Sequence, residues 1–215
     1  MEGRWLRLSL GRPCPTSELG SPVRKPLVPH AISLETPHFT LRTLEPSDAT
    51  DAWGTWLSDP DTLRNLNVAA SRLDAAMMRA YIEQADRVHR HVLGIFRKDD
   101  RALIGVRTVY VDPVRRSFLD NVIIGEPDAR GKGALVETSA VMNPYFFEVL
   151  DLDLAEATVV ASNEGMVRFV EGRMWVRTRT SMKPAASGAG QVTIYHYCLP
   201  RPVWRKREGR DTPAA

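Results

Sequence analysis

Three short apolar runs stand in a row: Val92 to Phe96, Leu103 to Val111 and Ser117 to Ile124. Each is rich in β-branched or aromatic residues. Turns at Lys98-Asp99-Asp100 and Asp112-Pro113 cut each from the next, so they read as a meander of hairpins. His38 to Leu44 alternates and predicts an earlier strand. Leu154 to Val160, Trp175 to Thr180 and Gln191 to Leu199 predict three later ones. Helical segments lie between. Glu45-Pro46-Ser47-Asp48 opens one that carries Ala49, Trp53 and Trp56, and Ser58-Asp59-Pro60 starts a short second through Asn67. From Leu73 to Val88, Leu73, Ala76, Met77, Ala80, Tyr81, Ala85 and Val88 share one face, which predicts a core-packing helix. A further helix runs from Ala134 to about Leu150, with a bend or break expected at Pro144 because proline removes a backbone donor. In it Leu135 is in register with Met142 and, less closely, Phe146, so Leu135 is expected in the core. Asn163 to about Glu171 forms a short one. The order predicts an α/β fold: a mixed, mostly antiparallel central sheet of about six to seven strands with helices on both faces.

Composition bounds the rest. At 215 residues, 43% hydrophobic and 26% charged, the chain fits one domain with tails. Two cysteines, Cys14 and Cys198, are too few for a disulfide framework or a cysteine zinc site, and favour a reducing compartment. Cys198 falls in a strand and reads as packing. His30, His38, His89, His91 and His196 show no metal-ligand spacing, so no metal is expected. No apolar run approaches the roughly 18–20 residues of a membrane span. Arg4 and Arg7 interrupt the first apolar residues, so no signal peptide is expected, and the protein should be soluble and cytoplasmic.

The net charge of +3 belongs to the ends. Residues 1–36 carry five basic against three acidic side chains, and residues 201–215 five against two. Five prolines break the first stretch (Pro13, Pro15, Pro22, Pro26 and Pro29), and neither end shows a core-forming period. Residues 1–36 therefore read as an extended or poorly ordered lead-in, 37–200 as the domain and 201–215 as a basic tail. Basic tails with no recognition motif give no reason to expect a nucleic-acid partner.

Chemistry concentrates at Gly125-Glu126-Pro127-Asp128-Ala129-Arg130-Gly131-Lys132-Gly133, between a strand and a helix. The first amides of a helix lack internal partners, and the helix dipole adds positive potential there, so such a turn can bind an anion. Gly131 and Gly133 allow close approach, and Arg130 and Lys132 add charge. The spacing is neither a Walker loop nor a dinucleotide fingerprint.

Four stretches in this order resemble the GCN5-related N-acetyltransferases, in particular the branch that acetylates ribosomal-protein N-termini and its small-molecule relatives. They are Phe39 to Ala49, Ile124 to Gly133, Leu152 to Asn163 and Gln191 to Leu199. The resemblance implies the acyl-CoA N-acyltransferase fold and acetyl-CoA as donor. It implies a pyrophosphate site on the amides of Arg130, Gly131, Lys132, Gly133, Ala134 and Leu135. The pantetheine arm would lie along Val122, Ile123 and Ile124, in a split beside the strand that begins at Leu154, with Asn163 holding it. Asn163 can equally cap a helix. Asp120 is the candidate general base, with a plain structural acid as the alternative. The acceptor would be an amine on a small molecule or a protein N-terminus, with no membrane partner; a homodimer is left open. Three positions depart from the pattern: Leu135 where a small residue is expected, Val170 where many members place a tyrosine acid, and Met174-Trp175 in place of a Gly-Phe pair. They leave open a domain that binds acyl-CoA or a partner without turnover.

Overall fold

The computed structural model describes residues 26–69, 74–188 and 190–209. Among them eight strands form one sheet in the order β1-β2-β3-β4-β5-β6-β8-β7. The strands are β1 (Ser33–Glu35), β2 (Phe39–Thr43), β3 (Arg90–Arg97), β4 (Leu103–Asp112), β5 (Ser117–Ile124), β6 (Leu154–Val160), β7 (Val176–Pro184) and β8 (Gln191–Pro200). Every pairing is antiparallel except β5 with β6. The predicted meander is β3-β4-β5. The sheet is mixed and mostly antiparallel, as expected, with one strand more than the sequence reading.

The helices divide between the two faces. Helices α1 (Asp51–Trp56), α2 (Pro60–Leu66) and α3 (Ala75–Glu83) lie on one, where Trp53, Trp56, Met78 and Ile82 pack against Val92 and Val106. The other holds α4 (Ala134–Pro144), α5 (Glu164–Glu171) and α6 (Arg201–Arg207). There Met142, Phe146, Phe147 and Trp204 pack on Val109 and Phe118, and Val170 packs on Val159 and Tyr197. Alternation along β4 and β5 serves both layers: Val109 and Phe118 point to α4, Val106 and Ile123 to α1–α3.

The structure differs from the sequence reading in three places, and Pro144 brings the break expected of it. Helix α3 stops at Glu83, and its buried residues are Met78 and Ile82, while Ala76, Met77 and Ala80 are exposed. The expected stripe was rotated by about one residue because Ala76 and Ala80, too small to reach a core, were counted in it. Leu73 lies outside the described residues. Pro144 ends α4, but the chain continues in a π-helical turn, Tyr145–Val149. Proline cannot donate the bond that would continue the regular pattern.

The other two differences lie at the ends. Residues 26–36 were read as part of the lead-in, yet β1 pairs with β2 and Ile32 is buried. Three residues are too few to show a period. Residues 201–215 were read as a tail, yet Arg201–Arg207 is helical. Its Trp204 is 1% exposed and stacks on Phe147 with centroids 4.9 Å apart. One tryptophan among arginines gives no periodic signal, but a single indole buries enough area to dock a helix. Residues 1–25 and 210–215 lie outside the described residues.

Trp204→Ala should therefore cost about 3–5 kcal/mol. Thermal unfolding should show the midpoint falling by more than about 6 °C for a domain of this size. An unchanged midpoint would show that α6 adds nothing to the core.

Candidate active site

Strands β5 and β6 run parallel but pair only at Ser117 to Leu119 against Leu154 to Glu156. Beyond these three pairs β6 stays on β8 and β5 stays on β4, so the two diverge. A split opens between Asp120–Ile124 and Ala157–Val160. Paired to β4 on one side only, that stretch of β5 turns alternate peptide groups into the gap.

A cavity of about 510 Å³ occupies the split. Its walls come from both faces of the sheet. Leu135, Val136, Ser139 and Phe169 line it on the α4–α5 side, and Trp53, Leu57, Met78 and Tyr81 on the α1–α3 side. The cavity thus passes through the sheet, which is possible only because the β5–β6 ladder stops early.

The glycine turn runs into α4, whose first-turn residues Leu135 and Val136 line the cavity, while Arg130 to Ala134 do not. Gly131 and Gly133 adopt φ of +73° and +89°, and Gly133 is the N-cap of α4. Side chains rarely tolerate these angles, which explains both glycines. Gly125 answers a different need: a Cβ there would lie 1.7 Å from the Trp56 ring. Glu137 stands in the first turn of α4, where its charge would oppose an anion. His38 draws it aside: the His38 amide donates to Oε2 at 3.2 Å, and His38 Nδ1 lies 2.8 Å from Oε1.

Of the residues singled out in the sequence, Asp120, Val122, Ile123, Leu135 and Asn163 line the cavity. Ile124 packs against the α4 core. Gly131 and Lys132 are exposed and Ala134 is buried. Arg130 does not offer its charge. Its guanidinium donates to the carbonyls of Ile124 (3.1 Å) and Gly125 (3.0 Å), to Asp59 Oδ2 (2.9 Å) and to Thr62 Oγ1 (3.2 Å). Arg130 therefore holds the turn to the end of β5 and the N-terminus of α2. Asn163 caps α5, its Oδ1 accepting from the Met166 amide at 3.1 Å, and it also lines the cavity.

Leu135 departs from its expected place. The buried residues of α4 are Ala134, Thr138, Met142 and Asn143, while Leu135 is half-buried in the cavity wall. Gly133 fixes where the helix begins and hence its phase, and that phase turns Ala134 and Thr138 inward.

For Asp120 the sequence offers a general base or a structural acid, and the structure shows it in an ion pair. It faces α4, and Arg107 Nη1 donates to its Oδ2 at 2.5 Å. Arg107 is 0% exposed. Its Nη2 donates to Thr138 Oγ1 (2.9 Å), Ser139 Oγ (2.8 Å) and the Leu135 carbonyl (3.2 Å). Burial pushes the Asp120 carboxyl up from its ordinary range, and the adjacent guanidinium opposes this. The pair is first a buried ion pair joining β4, β5 and α4. The sequence placed Asp120 in the site but missed Arg107, because an arginine in an apolar strand gives no signal of its partner.

Two further departures have structural explanations. Val170 is 3% exposed and packs on Val159 and Tyr197, so no hydroxyl stands at that point of α5. Met174 adopts φ of +61°, the left-handed region that the glycine of the resembled Gly-Phe pair would fit without strain. On the α1–α3 face Tyr81 Oη lies 2.8 Å from Thr108 Oγ1, and burial pushes the neighbouring Tyr110 hydroxyl up to about 12.

Residues 38–172 match the family model described as Acetyltransferase (GNAT) domain. The match spans more than half of the chain, and the chain belongs to this family, whose enzymes transfer an acyl group from acetyl-CoA to an amine. No curated protein matches it. Among solved structures it is similar to a GCN5-related N-acetyltransferase from Brucella melitensis (15% identity, 84% of each chain covered, TM-score 0.69). It is similar to the ribosomal-protein-S5-alanine acetyltransferase from Vibrio fischeri (14% identity, 80% of this chain and 98% of that one, TM-score 0.68). It is also similar to spermidine N-acetyltransferase from Vibrio cholerae, solved with CoA and spermine (16% identity, 78% of this chain and 98% of that one, TM-score 0.66). At these identities the likeness is one of fold. Among the described residues no helix is long and apolar enough to cross a membrane.

Two predictions follow from the walls of the cavity. Asp120→Ala should destabilise the fold by about 3–5 kcal/mol, because it leaves the Arg107 charge buried and uncompensated. The double change Arg107→Met with Asp120→Leu should recover most of that loss in denaturant unfolding. If the single variant is as stable as the parent, the ion pair is not structural. Leu135→Ala should change stability by less than about 1 kcal/mol, since little of the core is lost, and should tighten CoA binding by calorimetry.

Proposed function

We propose that the protein is an N-acetyltransferase that moves the acetyl group of acetyl-CoA to a primary amine, on a protein N-terminus or a small molecule. The observation that carries this reading is the cavity that crosses the sheet at the β5–β6 split, with Leu135 and Val136 of the first turn of α4 in its wall. A long, flexible, anionic thioester needs just these parts: amides for its diphosphate, a slot beside a strand edge for its arm, and a second entrance for the nucleophile.

The pyrophosphate would rest on amides of the turn from Arg130 to Leu135, helped by the dipole of α4. Lys132, exposed at the rim, adds charge. The arm would lie against Val122 and Ile123, whose strand edge offers peptide groups, and the Asn163 amide would donate to it. The chemistry asks for proximity, a polarised carbonyl and two proton movements. A β5 amide turned into the split would donate to the thioester carbonyl. The amine nitrogen attacks the carbonyl carbon, the C–S bond breaks, and the proton lost by nitrogen is the one the thiolate gains. Val170 cannot supply that proton, so it would pass through solvent in the cavity. Asp120, held by Arg107, positions β5 against α4 more readily than it accepts a proton.

Leu135 in the cavity wall and hydrocarbon at Val170 favour one alternative, a domain that binds acyl-CoA without turnover. Thiol release against a panel of amines separates the two: saturable CoA binding with no thiol released from any amine would establish the alternative.

Gly133→Glu tests the donor site itself. It puts a side chain at φ of +89° and a negative charge beside the amides. CoA binding should fall below detection in calorimetry, while circular dichroism shows the fold retained. Unchanged affinity would remove the pyrophosphate assignment.

A further inference from the structure

The half of the cavity on the α1–α3 face is apolar and holds no carboxylate among the described residues. Trp53, Leu57, Leu66, Met77, Met78 and Tyr81 form much of its wall. Met77 is 50% exposed although it lies beside buried Met78. Apolar surface left open at the mouth of a cavity is favourably covered by an apolar ligand.

Acidic side chains are plentiful nearby, but they are turned to other tasks. Asp59 accepts from the Thr62 amide at the start of α2, Asp74 from the Met77 amide at the start of α3, and Asp51 from the Ala75 amide. The acids in the cavity wall as a whole are Asp120 and Glu208. Asp120 faces α4 and is bound to Arg107, and Glu208 accepts from Arg207 Nε at 2.8 Å beyond α6. The charge that does reach the α1–α3 side is positive. Lys183 of β7 lines the cavity there, on the same face of the sheet as Ile194. Burial pulls its ammonium down, and Arg179 adds to the effect. The β7–β8 hairpin is fastened over this side: Asn67 Nδ2 donates to the Pro184 carbonyl at 3.1 Å, and the Ala186 amide donates to Asn67 Oδ1 at 2.8 Å.

Asn65 and Asn67 at the end of α2 are neutral, and further uncharged polar groups stand on the strands. Thr108, which bonds with Tyr81, stands opposite Asn121 of β5. These groups mark the point where the apolar chamber meets the split, and a polar head would lie there with its apolar body toward Trp53 and Met77.

We propose that the acceptor is a primary amine carried on an aromatic or branched aliphatic body with no second positive charge. This rests on the N-acetyltransferase reading and narrows its substrate. A polyamine would place a second ammonium in a chamber that offers it no carboxylate and sets it against Lys183, and an unpaired charge taken out of water is costly. An apolar body meets no such penalty.

The test uses the full chain with saturating acetyl-CoA and follows thiol release with 2-phenylethylamine, 3-methylbutylamine and spermidine. The apolar amines should exceed spermidine in kcat/KM by at least tenfold. Met77→Glu places a carboxylate at the chamber mouth, at the third position of α3, where glutamate suits a helix. It should lower kcat/KM for 2-phenylethylamine at least fivefold and raise it for spermidine. Equal or better use of spermidine by the parent protein would overturn the proposal and leave the N-acetyltransferase reading intact. If no amine releases thiol, that reading fails, and calorimetry of the CoA-loaded protein decides the chamber. Binding of 2-phenylethylamine in preference to spermidine would support it, and binding of neither would overturn it.

Discussion

Arg107 is a full positive charge with no exposed surface in the middle of a sheet, and much of the site is arranged around that fact. A guanidinium in such a place must be paired and its donors met, or it destabilises the fold. The partners come from three elements: Asp120 from β5, and Thr138, Ser139 and the Leu135 carbonyl from the first turns of α4. Pairing this one side chain therefore ties the first turns of α4 to β4 and β5. It sets them beside the split, where Leu135 and Ser139 line the cavity. The same bonds turn Leu135 into the cavity, since its carbonyl is held on Arg107 and Ala134 takes the inward position.

A second arginine fixes the other side of the turn. Arg130 ties the end of β5 to the N-terminus of α2 through Asp59 and Thr62, so the glycine turn and the helices of the opposite face share one fastening. Trp56 closes the remaining space against Gly125 and donates from Nε1 to Glu126 at 3.1 Å. A change in α2 would thus be felt at the glycine turn. Two of the charges near the turn, Arg130 and Glu137, are engaged in holding it in place.

Much of the sheet was legible in the chain. The meander, the later strands, the glycine turn and the helix after it all carry local signals, because alternation and turn residues act over a few positions. Val122, Ile123 and Asn163 were found through their order along the chain and do line the cavity. What failed did so for physical reasons. The three-residue β1 is too short to show a period, and Trp204 was one indole in a basic run. Small alanines shifted the apparent face of α3. Asp120 stays open in the sequence between a general base and a structural acid, because its partner Arg107 lies thirteen residues away on a neighbouring strand.

The element order, the mostly antiparallel sheet and the position of the glycine turn can be read from the chain, since they follow from local periodicity and from φ angles that only glycine accepts readily. Only the tertiary structure decided that the β5–β6 ladder stops after three pairs, that the cavity crosses the sheet, and that the acids of α1–α3 are drawn to helix ends and away from the chamber. Those facts depend on which side chains meet across elements distant in the chain. A buried cation does not announce its counter-ion until the elements that carry both are packed together.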